Sequence, residues 1–152
     1  MSDVIDAAIK RTSIKKQECF SELTEEEQNM LADLLQEKHF APGDTIVTEG
    51  DFVDSVYLIV NGTADVCHIY IQNNSPHIKS IATLGPGDAI GLNDTGFYSI
   101  SGVRTATVIA KSNIVTLCLS IAAFHGFALV NSHVLEVMRN NAEAILDKIN
   151  NR

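Results

Sequence analysis

Between Leu84 and Ala110 the chain carries a single cation, Arg104. Ahead of it stand the turn Gly85-Pro86-Gly87-Asp88 and the run Ala89-Ile90-Gly91-Leu92-Asn93-Asp94; directly after it comes Thr105-Ala106-Thr107-Val108. A glycine at position 91 lets the backbone approach a ligand closely. A short helix started by the residues after it would leave N–H groups free to meet an anion. A guanidinium opening the next strand supplies a two-pronged donor for phosphate oxygens. Together these residues predict a pocket for one small phosphate. Thr105, taken by itself, is an ordinary β-branched strand residue.

Other chemistry finds little support. His39, His68, His77, His125 and His133 are too far apart in sequence to share a metal at i,i+2 or i,i+4, so no metal site is expected. A nucleophile elbow and a phosphate-binding P-loop with its lysine are both absent. No catalytic residue is assigned, and no enzyme activity or resident cofactor is expected. Cys19, Cys67 and Cys118 are odd in number and lack Cys-x-x-Cys spacing. They read as small apolar residues in a reducing, cytoplasmic compartment.

Three regions would position the site: a helical segment over 1–39, a β-roll over 40–120 and helices over 121–152. In the first, Thr24 and Glu27 have capping-box spacing, Glu25 and Glu26 suit a helix start, and Leu31, Leu34 and Leu35 share one face. Phe20 and Leu23 could staple that start. In the second, short apolar runs alternate with turns: Thr45–Thr48, Ser55–Val60, Thr63–Ile71, His77–Leu84, Thr105–Ala110 and Ile114–Leu119. Asn61-Gly62 is the strongest hairpin signal, with both residues expected at positive φ. The fold class is therefore α+β, an antiparallel β-roll of double-stranded jelly-roll type flanked by N- and C-terminal helices. In the third region Ser132 is the expected N-cap. Leu135, Met138, Ala142, Ile145 and Ile149 follow at three, four, three and four residues, a continuous apolar seam. That seam either packs on its own roll or pairs two copies as a homodimer.

The length suits one domain. The net charge of −8 gives nucleic-acid binding no general electrostatic support and discourages adhesion to anionic membranes. No stretch reaches the ~18 apolar residues that span a bilayer, and no secretory signal is seen at the start.

The ordered set Pro42-Gly43-Asp44, Ile46, Glu49-Gly50-Asp51, Val56-Tyr57-Leu58-Ile59-Val60-Asn61-Gly62, Gly87-Asp88 and Arg104-Thr105-Ala106-Thr107-Val108-Ile109-Ala110 resembles the cyclic-nucleotide-binding domain family. The likeness runs from about Phe20 to Ile149. It implies a sensor for cAMP or cGMP, with Arg104 on the cyclic phosphate, backbone N–H groups near Gly91 and Leu92 beside it, and the Thr105 hydroxyl, as in the family's cGMP-accepting variants, on the guanine amino group. It also implies Val134, Leu135 or Met138 over the base, and a protein partner to carry the signal. The output domain of the related regulators is not expected, so a partner or a dimer would carry the signal. The family's Gly is normally followed by a Glu that holds the ribose 2′-hydroxyl; here that position is Leu92. The stretch from Gly91 to Arg104 is also longer than usual, so Asn93 or Asp94 would have to reach the ribose instead. A lost charge-assisted hydrogen bond costs about 1.5–3 kcal/mol. The alternative reading is a degenerate domain that no longer binds nucleotide and serves protein–protein interaction.

Overall fold

The computed structural model describes residues 6–93, 96–97 and 102–140. Helix α1 (Ala7–Lys15), a 3₁₀ turn (Glu18–Phe20) and helix α2 (Glu25–Ala32) lead into the roll. Its strands are β1 (Gln36–Phe40), β2 (Thr45–Val47), β3 (Ser55–Asn61), β4 (Ala64–Gln72), β5 (Ser75–Leu84), β6 (Ala89–Ile90), β7 (Leu92–Asn93), β8 (Gly96–Phe97), β9 (Thr107–Ala110) and β10 (Ile114–Ser120). Helix α3 (Ile121–Val130) follows, then helix α4, described over Ser132–Asn140. All strand pairs are antiparallel. One sheet has the order β1-β10-β3-β6, the other β2-β9-β4-β5, and β7 pairs with β8 separately.

Strand β3 shows why its sequence is apolar at successive positions. Val56 and Leu58 face a core formed with Phe20, Leu31, Phe124 and Val134 from the helices. Tyr57 and Ile59 face a second core between the sheets, with Ile46, Val108 and Ile114. A strand covered on both faces loses the apolar–polar alternation of a half-exposed one.

Turn chemistry fixes the corners. In both Ala41-Pro42-Gly43-Asp44 and Gly85-Pro86-Gly87-Asp88 the Asp carboxylate accepts the first residue's N–H at 2.8 Å. The Asp N–H donates back to that residue's carbonyl at 3.0 Å. Proline and a positive-φ glycine (Gly43 at 90°, Gly87 at 92°) occupy the central positions, as such a turn requires.

Two expectations are corrected here. The helical segment ends near Ala32 and not at residue 39, because Gln36–Phe40 forms strand β1. All its residues but Phe40 are polar, and its pairing with β10 from Gln36↔Cys118 to Phe40↔Ile114 overrides their weak strand preference. Asn61-Gly62 is not a hairpin. Only Gly62 has positive φ (92°), and the chain passes there from one sheet to the other, since β3 pairs with β10 and β6 while β4 pairs with β5 and β9. The two-residue hairpin is Asn73-Asn74, with φ of 54° and 64°, between partners Gln72 and Ser75.

The capping box forms as expected: the Glu27 N–H donates to Thr24 Oγ1, and the Thr24 N–H to Glu27 Oε1. Helices α3 and α4 meet at 117°. The break is at Asn131, whose Nδ2 donates to the Phe127 carbonyl at 2.8 Å. The Asn131 carbonyl accepts the Leu135 N–H, so α4 is capped one residue ahead of the expected Ser132. Val134 and Val137 are buried, and Met138 packs partly against the same core, while Leu135 is exposed. The described part of the seam is therefore split between core and surface; Ala142, Ile145 and Ile149 lie outside the described residues. No single helix among the described residues is long and apolar enough to cross a membrane.

Helix α4 is also tied to α2, because His133 Nδ1 lies 2.8 Å from Glu27 Oε1. The hydrogen bond to Glu27 raises the His133 pKa above its ordinary value, against some burial, and Glu136 and Glu22 add to the rise. Burial alone would raise the Glu27 carboxyl; the Thr24 backbone N–H and His133 outweigh it and hold it low. The raised His133 pKa contributes stability that is complete below its unfolded value near 6.5 and is lost as pH rises through the folded value. The depressed Glu27 contributes above 4.5 and loses its contribution as pH falls through its folded value. Thermal melts are expected to show the pair's full contribution between those values. His133→Gln should flatten the part of the decline above pH 6.5.

Candidate functional site

Arg104 is held from both sides by its backbone. Its N–H donates to the Asp51 carbonyl at 2.8 Å, and its carbonyl accepts the Gly50 N–H at 2.9 Å. The Val53 N–H donates to the Gly102 carbonyl at 2.8 Å, so the chain before β9 runs antiparallel to the turn before β3. This is why a Glu-Gly-Asp turn far away in sequence matters to Arg104.

The side chain points inward and is only 7% exposed. Nη2 donates to the Ser55 carbonyl at 2.7 Å and lies 3.8 Å from Asp54 Oδ1. Asp54 is itself well exposed, so water screens that pair and it compensates little. Nη1 is buried with no hydrogen-bond partner among the described residues. Burial pushes the guanidinium pKa down, with Asp54 pulling it back. A buried donor left unpaired is costly, and Arg104 is part of the wall of a cavity.

That cavity has a volume of about 430 Å³, within the range of small-ligand sites. Its walls come from β2 (Val47), Val53, β4 (Val66, His68), β5 (Ile81, Ala82, Leu84), β6 (Ala89, Ile90), Gly91, Leu92 of β7, and Arg104, Thr105, Ala106 and Val108. Gly91 has φ of 87°, and a Cβ there would stand 2.8 Å from Arg104 Nη1 and 3.2 Å from Val56 Cγ1. Glycine is thus what lets the guanidinium lie against the backbone. An anion at Nη1 would meet this turn, in apolar surroundings where a charge-assisted hydrogen bond is strong.

Of the expected site residues, Gly91, Leu92, Arg104 and Thr105 all border the cavity. Leu92 is buried, and its side chain joins the core beneath the helices, so a carboxylate there would be surrounded by apolar groups. Among the described residues directly after Gly91 a strand pair stands in place of the expected short helix: Leu92 and Asn93 pair with Phe97 and Gly96. Asp94 lies outside the described residues. Val134, Leu135 and Met138 are not among the residues bordering the cavity; the bend at Asn131 turns Val134 into the helical core.

His68 was not anticipated. It reaches the cavity from β4 and bonds Glu49 Oε1 through Nδ1 at 2.8 Å. The Glu49 N–H in turn donates to Thr107 Oγ1 at 3.0 Å. Only the sheet order, β4 beside β9, brings these residues together; nothing local to His68 signals it.

The model of the cyclic nucleotide-binding domain matches residues 37–131. The chain belongs to the cyclic nucleotide-binding domain family. Relatives agree. The cGMP-dependent protein kinase of Plasmodium berghei (strain Anka) is 34% identical over 111 residues, covering 73% of this chain and 11% of that protein. The cAMP-dependent protein kinase regulatory subunit of Yarrowia lipolytica is 31% identical over 132 residues, covering 84% of this chain and 31% of that protein. The chain therefore spans about a tenth and about a third of those two lengths. Among solved structures, the N-terminal domain of a transcriptional regulator from Streptomyces coelicolor A3(2) has the same fold, with a TM-score of 0.75 at 24% identity, covering 91% of this chain and 93% of that one. The family is one of regulatory ligand-binding domains.

Proposed function

We propose that this cyclic nucleotide-binding domain is a non-catalytic sensor that holds the cyclic phosphate of cAMP or cGMP on Arg104 and passes the signal to a protein partner. The observation that carries this reading is Arg104 in the cavity wall, its guanidinium buried and its Nη1 without a hydrogen-bond partner among the described residues. A guanidinium with a free donor and little compensation gains most from an anion that fills the site. The backbone at Gly91, drawn against Nη1, gives the phosphate its second wall. Among the described residues, Thr105 and His68 are the other cavity residues with polar side chains, and they are suited to the base. The three free cysteines, all buried, fit a reducing, cytoplasmic setting.

A second reading, a docking module without a nucleotide, is favoured by the β4–β5 ribbon. Past Cys67, where pairing of β4 with β9 stops, the ribbon exposes Ile69, Ile71 and Ile78. Thermal denaturation with cAMP and with cGMP separates the readings. A ligand at 100 times its dissociation constant is expected to stabilise the domain by about 2.7 kcal/mol. Absence of any shift with either nucleotide at millimolar concentration would favour the docking reading.

A further inference from the structure

Arg104 and His68 reach the cavity from different sheets. The Arg104 guanidinium lies against Ser55 of β3, through Nη2, and against Gly91, which follows β6. Strands β3 and β6 belong to the sheet β1-β10-β3-β6. His68 enters the cavity from β4, in the sheet β2-β9-β4-β5. Stacked sheets lie about 10 Å apart. In a cyclic nucleotide the phosphate and the base are at opposite ends, with the sugar between them. A phosphate on Arg104 therefore turns the base toward the sheet of His68. The other cavity residues of that sheet are aliphatic, among them Val47, Val66 and Ile81. They suit the faces of a base, and His68 suits its polar edge.

We infer that His68, positioned by Glu49, reads the base: its Nε2 accepts a hydrogen bond from an N–H group at the base's edge. The inference rests on the reading of Arg104 as the phosphate anchor. An ionised carboxylate only accepts hydrogen bonds. The 2.8 Å contact between Glu49 Oε1 and His68 Nδ1 therefore puts the ring proton on Nδ1 and leaves Nε2 as the acceptor of the neutral ring. Glu49 is itself fixed in place. Its N–H donates to Thr107 Oγ1 at 3.0 Å, and Thr107 is buried on β9. The next residue, Gly50, donates its N–H to the Arg104 carbonyl at 2.9 Å. One turn thus sets both the phosphate anchor and the base reader. Glu49 and His68 are both about half-exposed, so their pair adds little to stability, and either side chain can be replaced with the fold intact.

The test is calorimetric titration of the full chain and of His68→Phe, Glu49→Ala and Arg104→Met, each checked for folding by circular dichroism. The ligands are cAMP, cGMP and the 3′,5′-cyclic phosphate of purine riboside, whose base has no N–H. For the tighter of cAMP and cGMP, His68→Phe and Glu49→Ala are each expected to weaken binding about threefold to tenfold, the worth of one hydrogen bond. The purine compound should bind the wild type more weakly than that parent by a similar factor, and should lose less than about twofold in His68→Phe, because the contact is already missing. In mildly alkaline buffer the ring nitrogen resonances of His68 should show the proton on Nδ1 and a shift of Nε2 on saturation with the parent. With Arg104→Met abolishing binding, any one of three results would overturn the inference and leave the phosphate anchor standing. These are either of the other two variants binding within about threefold of the wild type, the purine compound matching its parent, and an Nε2 signal that saturation leaves in place. Undiminished binding to Arg104→Met, or no binding of cAMP or cGMP by the wild type, would overturn the anchor and the inference with it.

Discussion

Arg104→Met is expected to remove cyclic-nucleotide binding while leaving the stability of the unliganded domain nearly unchanged. Ordinarily, changing a side chain this deeply buried costs several kcal/mol in lost packing. Here the methionine occupies similar length, and the charge it replaces is poorly compensated. Removing a buried and poorly compensated charge relieves its desolvation cost, which offsets the lost packing. Against that stands the Ser55 carbonyl, which loses the Nη2 bond of 2.7 Å at a cost of about 1–3 kcal/mol. The two nearly cancel, giving a net change within about 1 kcal/mol. The backbone bonds of residue 104 to Gly50 and Asp51 are untouched, so the loop keeps its path. Binding loses its charge-assisted bonds, at about 1.5–3 kcal/mol each, and two such bonds to a phosphate correspond to a loss of at least about 100-fold. Chemical denaturation and calorimetry on the same sample check both halves. A variant that binds normally, or one that unfolds, would show that Arg104 serves the fold and not the ligand.

The second large effect is on stability, at Gly62. Its φ of 92° is a region that an L side chain enters only with strain, at about 1–3 kcal/mol. A Cβ there would lie 2.2 Å from the Asn113 carbonyl oxygen and 2.9 Å from Ile114 Cα. Those are backbone atoms of a segment whose Ile114 is buried and paired with Phe40, so relief requires moving β10. Overpacking of this kind adds about 1–3 kcal/mol. Gly62→Ala should therefore cost about 3–5 kcal/mol, a large share of the 5–15 kcal/mol that holds a typical domain. Gly43→Ala is the control, because Gly43 has φ of 90° but open space around its Cβ position; it should cost only about 1–2 kcal/mol. At roughly 2–4 °C per kcal/mol for a chain of this size, melting curves should separate the two variants clearly. Equal melting temperatures would mean that the crowding at the crossing between sheets is not what requires glycine.

Gly62 also shows what was legible in the sequence and what was not. Positive φ at that glycine could be read from its residue type, but which strands it joins could not. Turn chemistry reports local backbone conformation, whereas pairing is decided by which faces bury their apolar residues. Asn73-Asn74 carries the same kind of signal and does close a hairpin, because β4 and β5 remain neighbours for their whole length. Strand β1 was hidden by its composition: an edge strand with largely exposed residues carries little apolar pattern. Arg104 was legible because it is the single cation in a long stretch without lysine or arginine. Its posture was not, since it depends on the Ser55 carbonyl and on contact with Gly91, both distant in sequence. Leu92 was recognised as a departure from the resembled family, but its membership of the helical core came only with the packing.

The claim on which the account turns is that the Arg104 guanidinium receives the ligand's phosphate. Nuclear magnetic resonance of the arginine side-chain nitrogens tests it most directly, with the Arg104 signal assigned by its loss in Arg104→Met. Titration with cAMP or cGMP is predicted to move that signal along a saturable one-site curve, with the same dissociation constant that calorimetry returns. A nucleotide that binds by calorimetry and leaves the Arg104 signal in place would contradict the account.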